Sequence, residues 1–167
     1  MKTIHWAMIG TGDVTEKKSG PGFYKAKNSV LYGVTNRTLA KAEDYAKRHH
    51  VEKVFASVDD LLADPKVDAV YIATPPGSHK DYALRCAEAG KVCYIEKPIA
   101  LTYNEALEIS EAFKKANVKA FVAYYRRTLP RFTEVKVLLD AGTIGDVRFV
   151  NVAYYRPAAK DEINGTH

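Results

Sequence analysis

Ile4-His5-Trp6-Ala7-Met8-Ile9-Gly10-Thr11-Gly12-Asp13-Val14-Thr15 opens the chain with an apolar run of strand length, turns on two glycines and leaves into a helical segment. In such a strand-turn-helix the first glycine permits a tight turn, and the second lets main-chain N–H groups approach a pyrophosphate at the positive end of the helix. Gly10, Thr11, Gly12, Asp13 and Val14 are therefore candidate cofactor-binding residues. The fingerprint G-x-G-x-x-G asks for a third small residue where this chain has Thr15, which fits but is expected to loosen helix–strand packing. Gly20-Pro21-Gly22 is expected to interrupt the first helix or offset its second half. On the glycines alone, a tight turn without a ligand competes evenly with the cofactor reading.

Outward from this turn, strand-length apolar runs alternate with amphipathic stretches of helix length, the pattern of a parallel sheet wrapped by helices. Strands are expected at 30–35, 53–55, 68–73, 92–95 and 119–123. Helices are expected at 39–49, with Ala42, Tyr45 and Ala46 on the sheet side, at 58–63 behind a Ser57 cap, and at 78–89 before Gly90. A further helix runs to 116 from a Thr102…Glu105 capping box. The fold class is α/β, a Rossmann-type doubly wound parallel sheet. After Tyr124 a helix is expected at 130–141 and one long strand at 145–155. The chain thus divides into a nucleotide-binding domain, 1–123, and the opening of an α+β substrate domain, 124–167. An unpartnered strand at 145–155 would leave an open edge, predicting self-association, a disordered tail or packing against a partner chain.

Length and composition set bounds. The 167 residues suffice for one good core but are few for separate cofactor and substrate domains, and 47% hydrophobic with 27% charged residues is ordinary globular composition. The net charge of +5 is distributed over helix faces with acidic neighbours, so no stripe for nucleic acid emerges. The N-terminal apolar stretch is too short to span a membrane. Cys86 and Cys93 have neither metal-ligand nor redox spacing, so no metal site is expected and both read as buried free thiols of a cytoplasmic protein.

The end of the second strand bears on the cofactor. NAD-preferring domains place an acidic residue there for the ribose 2'-hydroxyl, whereas this chain has Thr35-Asn36-Arg37-Thr38. No carboxylate is present to repel a 2'-phosphate, and Arg37 can pair with one and stack on adenine. Asn36, Arg37 and Thr38 join the candidate set, and NADP(H) is favoured over NAD(H). The competing reading is a solvent-facing arginine beside the helix cap Thr38.

Thr74-Pro75-Pro76-Gly77-Ser78-His79, Ala89-Gly90-Lys91-Val92 and Glu96-Lys97-Pro98 form a spaced series near the carboxyl ends of strands. With them, and with Tyr124-Tyr125-Arg126-Arg127-Thr128-Leu129-Pro130, the sequence resembles the Gfo/Idh/MocA oxidoreductases from about 4 to 155. The resemblance implies that Lys97 is the catalytic lysine near the nicotinamide, bonding the substrate hydroxyl and stabilising developing alkoxide. It also implies that Thr74, Pro75 and Pro76 flank the ribose and nicotinamide, that Glu96 accompanies Lys97, and that Arg127 is the junction arginine, against an ordinary salt bridge. His79 either contacts the cofactor or orders the turn. The family's catalytic aspartate and histidine belong to the second domain beyond this sequence, and the terminal His167 does not match them.

The implied activity is hydride transfer between a nicotinamide cofactor and a hydroxyl or carbonyl carbon of a sugar or polyol, with this chain binding cofactor but catalytically incomplete. The alternative is a non-catalytic dinucleotide-binding or redox-sensing module acting with a partner chain. Use of the glycine turn for S-adenosylmethionine is disfavoured by Glu96-Lys97-Pro98.

Overall fold

Alternation within β1 (Ile4–Ile9) decides how the sheet is wrapped: Ala7 and Ile9 face one apolar cluster and Met8 the other. The computed structural model describes residues 2–157, which fall into two units divided between Tyr124 and Tyr125. In the first unit β1 is followed by α1 (Asp13–Lys17), α2 (Gly20–Lys25), β2 (Ser29–Thr35), α3 (Leu39–His49) and β3 (Lys53–Val54). Then come α4 (Val58–Ala63), β4 (Ala69–Ile72), α5 (His79–Glu88), β5 (Val92–Ile95), α6 (Tyr103–Ala116) and β6 (Ala120–Val122). The interruption at Gly20-Pro21-Gly22 is the break between α1 and α2.

All neighbouring strands are parallel, in the order β3-β2-β1-β4-β5-β6. Side chains of α1, α2 and α3, among them Val14, Phe23 and Tyr45, join Met8, Val34 and Tyr71 on one face of the sheet. Leu61 of α4, Cys86 of α5 and Phe113 of α6 join Ala7, Val70 and Ile95 on the other. The chain winds away from β1 in both directions, so the strand order reverses between β2 and β4. Ligands of open parallel sheets bind at the carboxyl edge of such a reversal. A register shift between Trp6 and Ala7 marks the β1–β2 pairing.

Local chemistry fixes the helix ends. Ser57 accepts the Asp60 amide at 3.0 Å and Thr102 accepts the Glu105 amide at 3.2 Å. Glu105 reaches back to the amide of Leu101 at 2.9 Å, completing the capping box one residue ahead of the cap. His50 and Asn117 take the left-handed conformation after α3 and α6. No described helix is long and apolar enough to cross a membrane.

The second unit holds a 3-10 turn, Tyr125–Thr128, and α7 (Pro130–Asp140), none of whose residues is buried. The strand expected at 145–155 is not formed: these residues pair with no ladder. Apolar β-formers such as Phe149 and Val152 read as strand, but a strand exists through its partner, and among the described residues of this unit there is no second strand. Phe149 and Tyr155 are 85% and 93% exposed. Among the described residues, 145–155 therefore present no strand edge of the kind that the expected self-association requires. Residues from 158 onward, His167 and the polar tail included, lie outside the described residues.

Candidate functional site

The glycine turn is laced between two strand ends. Gly10 has φ +93°, its amide donates to the Thr35 carbonyl at 2.9 Å, and a Cβ there would stand 2.9 Å from the Ala73 carbonyl oxygen. At Gly12 nothing lies within 4 Å of where a Cβ would be, so no protein atom demands the glycine. The open space lies beside the first amides of α1, which have no intrahelical acceptor. A phosphate fits that space and those donors. Thr15 is fully buried and does not loosen the turn, because its hydroxyl donates to the Gly12 carbonyl at 2.6 Å. Gly20 makes a close approach of its own, between α1 and α2: a Cβ there would stand 1.8 Å from the Thr15 carbonyl oxygen.

At the end of β2, Asn36 turns inward to donate to the Thr11 hydroxyl at 2.8 Å, and its Oδ1 accepts the Thr38 amide at 2.9 Å. Thr38 precedes α3, yet its side chain makes no capping bond. Arg37 is exposed and forms no ion pair among the described residues.

The ends of β4 and β5 stand side by side, with the Glu96 amide donating to the Ile72 carbonyl at 3.0 Å. After β4 the chain enters a 3-10 turn, Pro76–Ser78, in which the Ser78 hydroxyl lies 2.8 Å from Thr74 Oγ1. His79 is fully buried, with Nδ1 2.8 Å from the Pro98 carbonyl oxygen and Nε2 2.8 Å from that of Thr74. A neutral imidazole donates to one of these carbonyls, an imidazolium to both. His79 thus ties the turn after β4 to the Glu96-Lys97-Pro98 segment. The Lys97-Pro98 peptide is cis.

Glu96 accepts from the Tyr71 hydroxyl at 2.5 Å and from the Lys97 amide at 3.1 Å. Burial, and then the Glu96 carboxylate, push the Tyr71 phenol well above its ordinary range. Lys97 is exposed, and its ammonium meets no carboxylate among the described residues.

A cleft of about 540 Å³ opens along the carboxyl edge of β1, β2 and β4. Of the expected site residues, Gly10, Thr11, Gly12, Asn36, Arg37, Thr74 and Pro75 line it. Asp13, Val14, Thr38, Pro76, His79, Glu96 and Lys97 are not among its lining residues. Arg127 belongs to the 3-10 turn of the second unit. Sequence reading missed Ser57, taken only as a helix cap, and Tyr82, taken only as a helix-stripe residue; both line the cleft. Among the described residues, Arg37 is its only charged lining residue. Among the described residues no group of three or more His, Cys, Asp or Glu could hold a metal.

The model of an oxidoreductase family with an NAD-binding Rossmann fold, Gfo/Idh/MocA, matches residues 4–124. Oxidoreductase P35 of Formosa agariphila is 48% identical over 86% of this chain and 45% of its own length. The scyllo-inositol 2-dehydrogenase (NAD(+)) of Bacillus subtilis is 34% identical over 95% of the chain, again 45% of its own length. The chain therefore spans about half of these relatives. The crystal structure of scyllo-inositol dehydrogenase from Lactobacillus casei, with bound NAD(H) and scyllo-inositol, superposes with a TM-score of 0.79 at 29% identity over 87% of this chain and 43% of that one.

Proposed function

This chain belongs to the oxidoreductase family with an NAD-binding Rossmann fold, and from that premise we propose that it is the NADP(H)-binding half of a dehydrogenase acting on a hydroxyl or carbonyl carbon of a sugar or polyol. The observation that carries the cofactor choice is the charge of the cleft: its lining includes Arg37 and no carboxylate. An anionic dinucleotide suits such a cleft, and a 2'-phosphate suits an arginine with no other ion-pair partner among the described residues. The relatives support the substrate class, since the protein from Bacillus subtilis is a scyllo-inositol dehydrogenase.

When bound, the nicotinamide accepts or supplies the hydride. The chain's own residues bind and orient. First-turn amides of α1 hold the pyrophosphate, and Asn36 holds the glycine turn against the loop that carries Arg37. Thr74, Pro75 and Pro76 flank the ribose, and His79 keeps their turn fixed to the lysine segment. Lys97, as an ammonium, bonds the substrate oxygen and stabilises the negative charge that develops on it. The Lys97 ammonium meets no carboxylate among the described residues, so its charge is available for that work. Residues from 124 onward, Arg127 among them, open the substrate domain.

Nicotinamide-fluorescence titration with NADPH and NADH tests the reading. NADPH is expected to bind more tightly, and Arg37→Asp to weaken NADPH by about tenfold or more with little effect on NADH. Equal affinities overturn the NADP(H) assignment, and binding of neither nucleotide overturns the site.

A further inference from the structure

Tyr71 sits in the middle of the central strand β4, fully buried, among neighbours that ask only for an apolar ring: Phe23 at 4.7 Å and Tyr94 at 5.6 Å between centroids. Phenylalanine would fill this space. A hydroxyl here must instead find partners, because an unsatisfied buried donor is costly. It finds two. It donates to Glu96 Oε1 at 2.5 Å and accepts from the Ser19 hydroxyl at 2.6 Å, while the Ser19 main-chain amide donates to the Val14 carbonyl oxygen at 2.9 Å. The second carboxylate oxygen of Glu96 accepts the main-chain amide of Lys97 at 3.1 Å.

We propose that Tyr71 is a positioning residue: through Glu96 it fixes the main chain of Lys97, and through Ser19 it locks that segment to the helix behind the glycine turn. The proposal rests on the nucleotide-binding reading for its consequence, but the link itself is a property of the chain. Each oxygen of Glu96 is held, so the carboxylate keeps its place beside the Lys97 main chain. Val14 belongs to the first turn of α1, where the pyrophosphate binds, and Lys97 stands at the reacting end. One relay of hydroxyl and carboxylate therefore sets the two ends of the cofactor site relative to each other across the sheet.

The test is Tyr71→Phe, which removes one oxygen and keeps the ring, with Ser19→Ala as a second variant that acts on the relay from its other end. Amide hydrogen exchange by NMR reads the link without any ligand. In Tyr71→Phe the Lys97 amide is expected to exchange about tenfold faster, while amides of β1 and β4 keep their protection. NADPH affinity is expected to fall about three- to tenfold, while that for adenosine 2',5'-bisphosphate, which lacks the nicotinamide end, changes by less than about twofold. Ser19→Ala is expected to give the same pattern more weakly.

An unchanged Lys97 amide overturns the proposal. So does an equal loss of both ligands accompanied by loss of protection throughout the sheet, which is the mark of a packing residue. If the unaltered protein binds no NADPH but the Lys97 amide still responds to Tyr71→Phe, the nucleotide reading falls and the Tyr71-Glu96-Lys97 link stands.

Discussion

Asn36 donates to the Thr11 hydroxyl oxygen across 2.8 Å, joining the loop after β2 to the glycine turn after β1. With its Oδ1 on the Thr38 amide, one half-buried side chain sets the spacing of two loops that share a cleft wall. Asn36→Leu keeps the bulk and removes both bonds. It is expected to lower stability by about 1–2 kcal/mol in urea unfolding and to weaken NADPH and NADH alike, because it frees the turn and not the 2'-phosphate contact.

Gly20 is a second point where sequence and close packing meet. A single methyl group there would stand 1.8 Å from the Thr15 carbonyl oxygen and 2.7 Å from the Tyr45 hydroxyl. Since the first is main chain, the helix pair α1–α2 must shift to accept it. Gly20→Ala is expected to cost about 1–3 kcal/mol or more, read as a drop in the thermal midpoint.

Acid stability depends on Glu16. Hydrogen bonds from Arg48 at 2.6 and 3.0 Å, reinforced by His49 at 2.8 Å, hold its carboxyl at about 2, below its ordinary 4.5. A carboxylate whose pKa is lower in the folded state contributes stability that is fully present above 4.5 and is lost as pH falls toward 2. Glu16→Gln is expected to flatten the fall of the unfolding midpoint across that interval. A wild-type slope in the variant would show that the cluster does not anchor α1 to α3.

The two thiols are expected to be silent in the native protein. Cys86 on α5 and Cys93 on β5 are fully buried, and burial pushes the Cys93 thiol well up, away from the reactive thiolate. A water-soluble disulfide reagent is expected to label neither at the rate of a free thiol, and both once urea opens the chain.

Much of the first unit was legible because its elements are decided locally. Alternation in 4–9 and the apolar run at 69–72 specify strands, and Ser57 and Thr102 announce helices through bonds made within three residues. The glycine turn was legible for the same reason, although Thr15 does not loosen it as expected, because its hydroxyl bonds the Gly12 carbonyl. Other features depend on partners far away in the chain. The segment 145–155 has strand chemistry but pairs with no strand among the described residues, and periodicity is blind to pairing. Ser19 precedes α2, Tyr71 lies in β4 and Glu96 follows β5, so no spacing rule brings them together. Tyr82 was read from its helix stripe alone; that it also walls the cleft follows only when α5 is laid against the sheet.

The place of β1 between β2 and β4 also governs the order in which this protein can acquire a core during synthesis. Met8 and Ala7 leave the ribosome well before Tyr71 and Val70, which close one flank of their strand and are encoded beyond α3, β3 and α4. A nascent chain that stops short of Ile72 therefore offers β1 with one edge unpaired, the kind of surface that chaperones recognise and that aggregates when left bare.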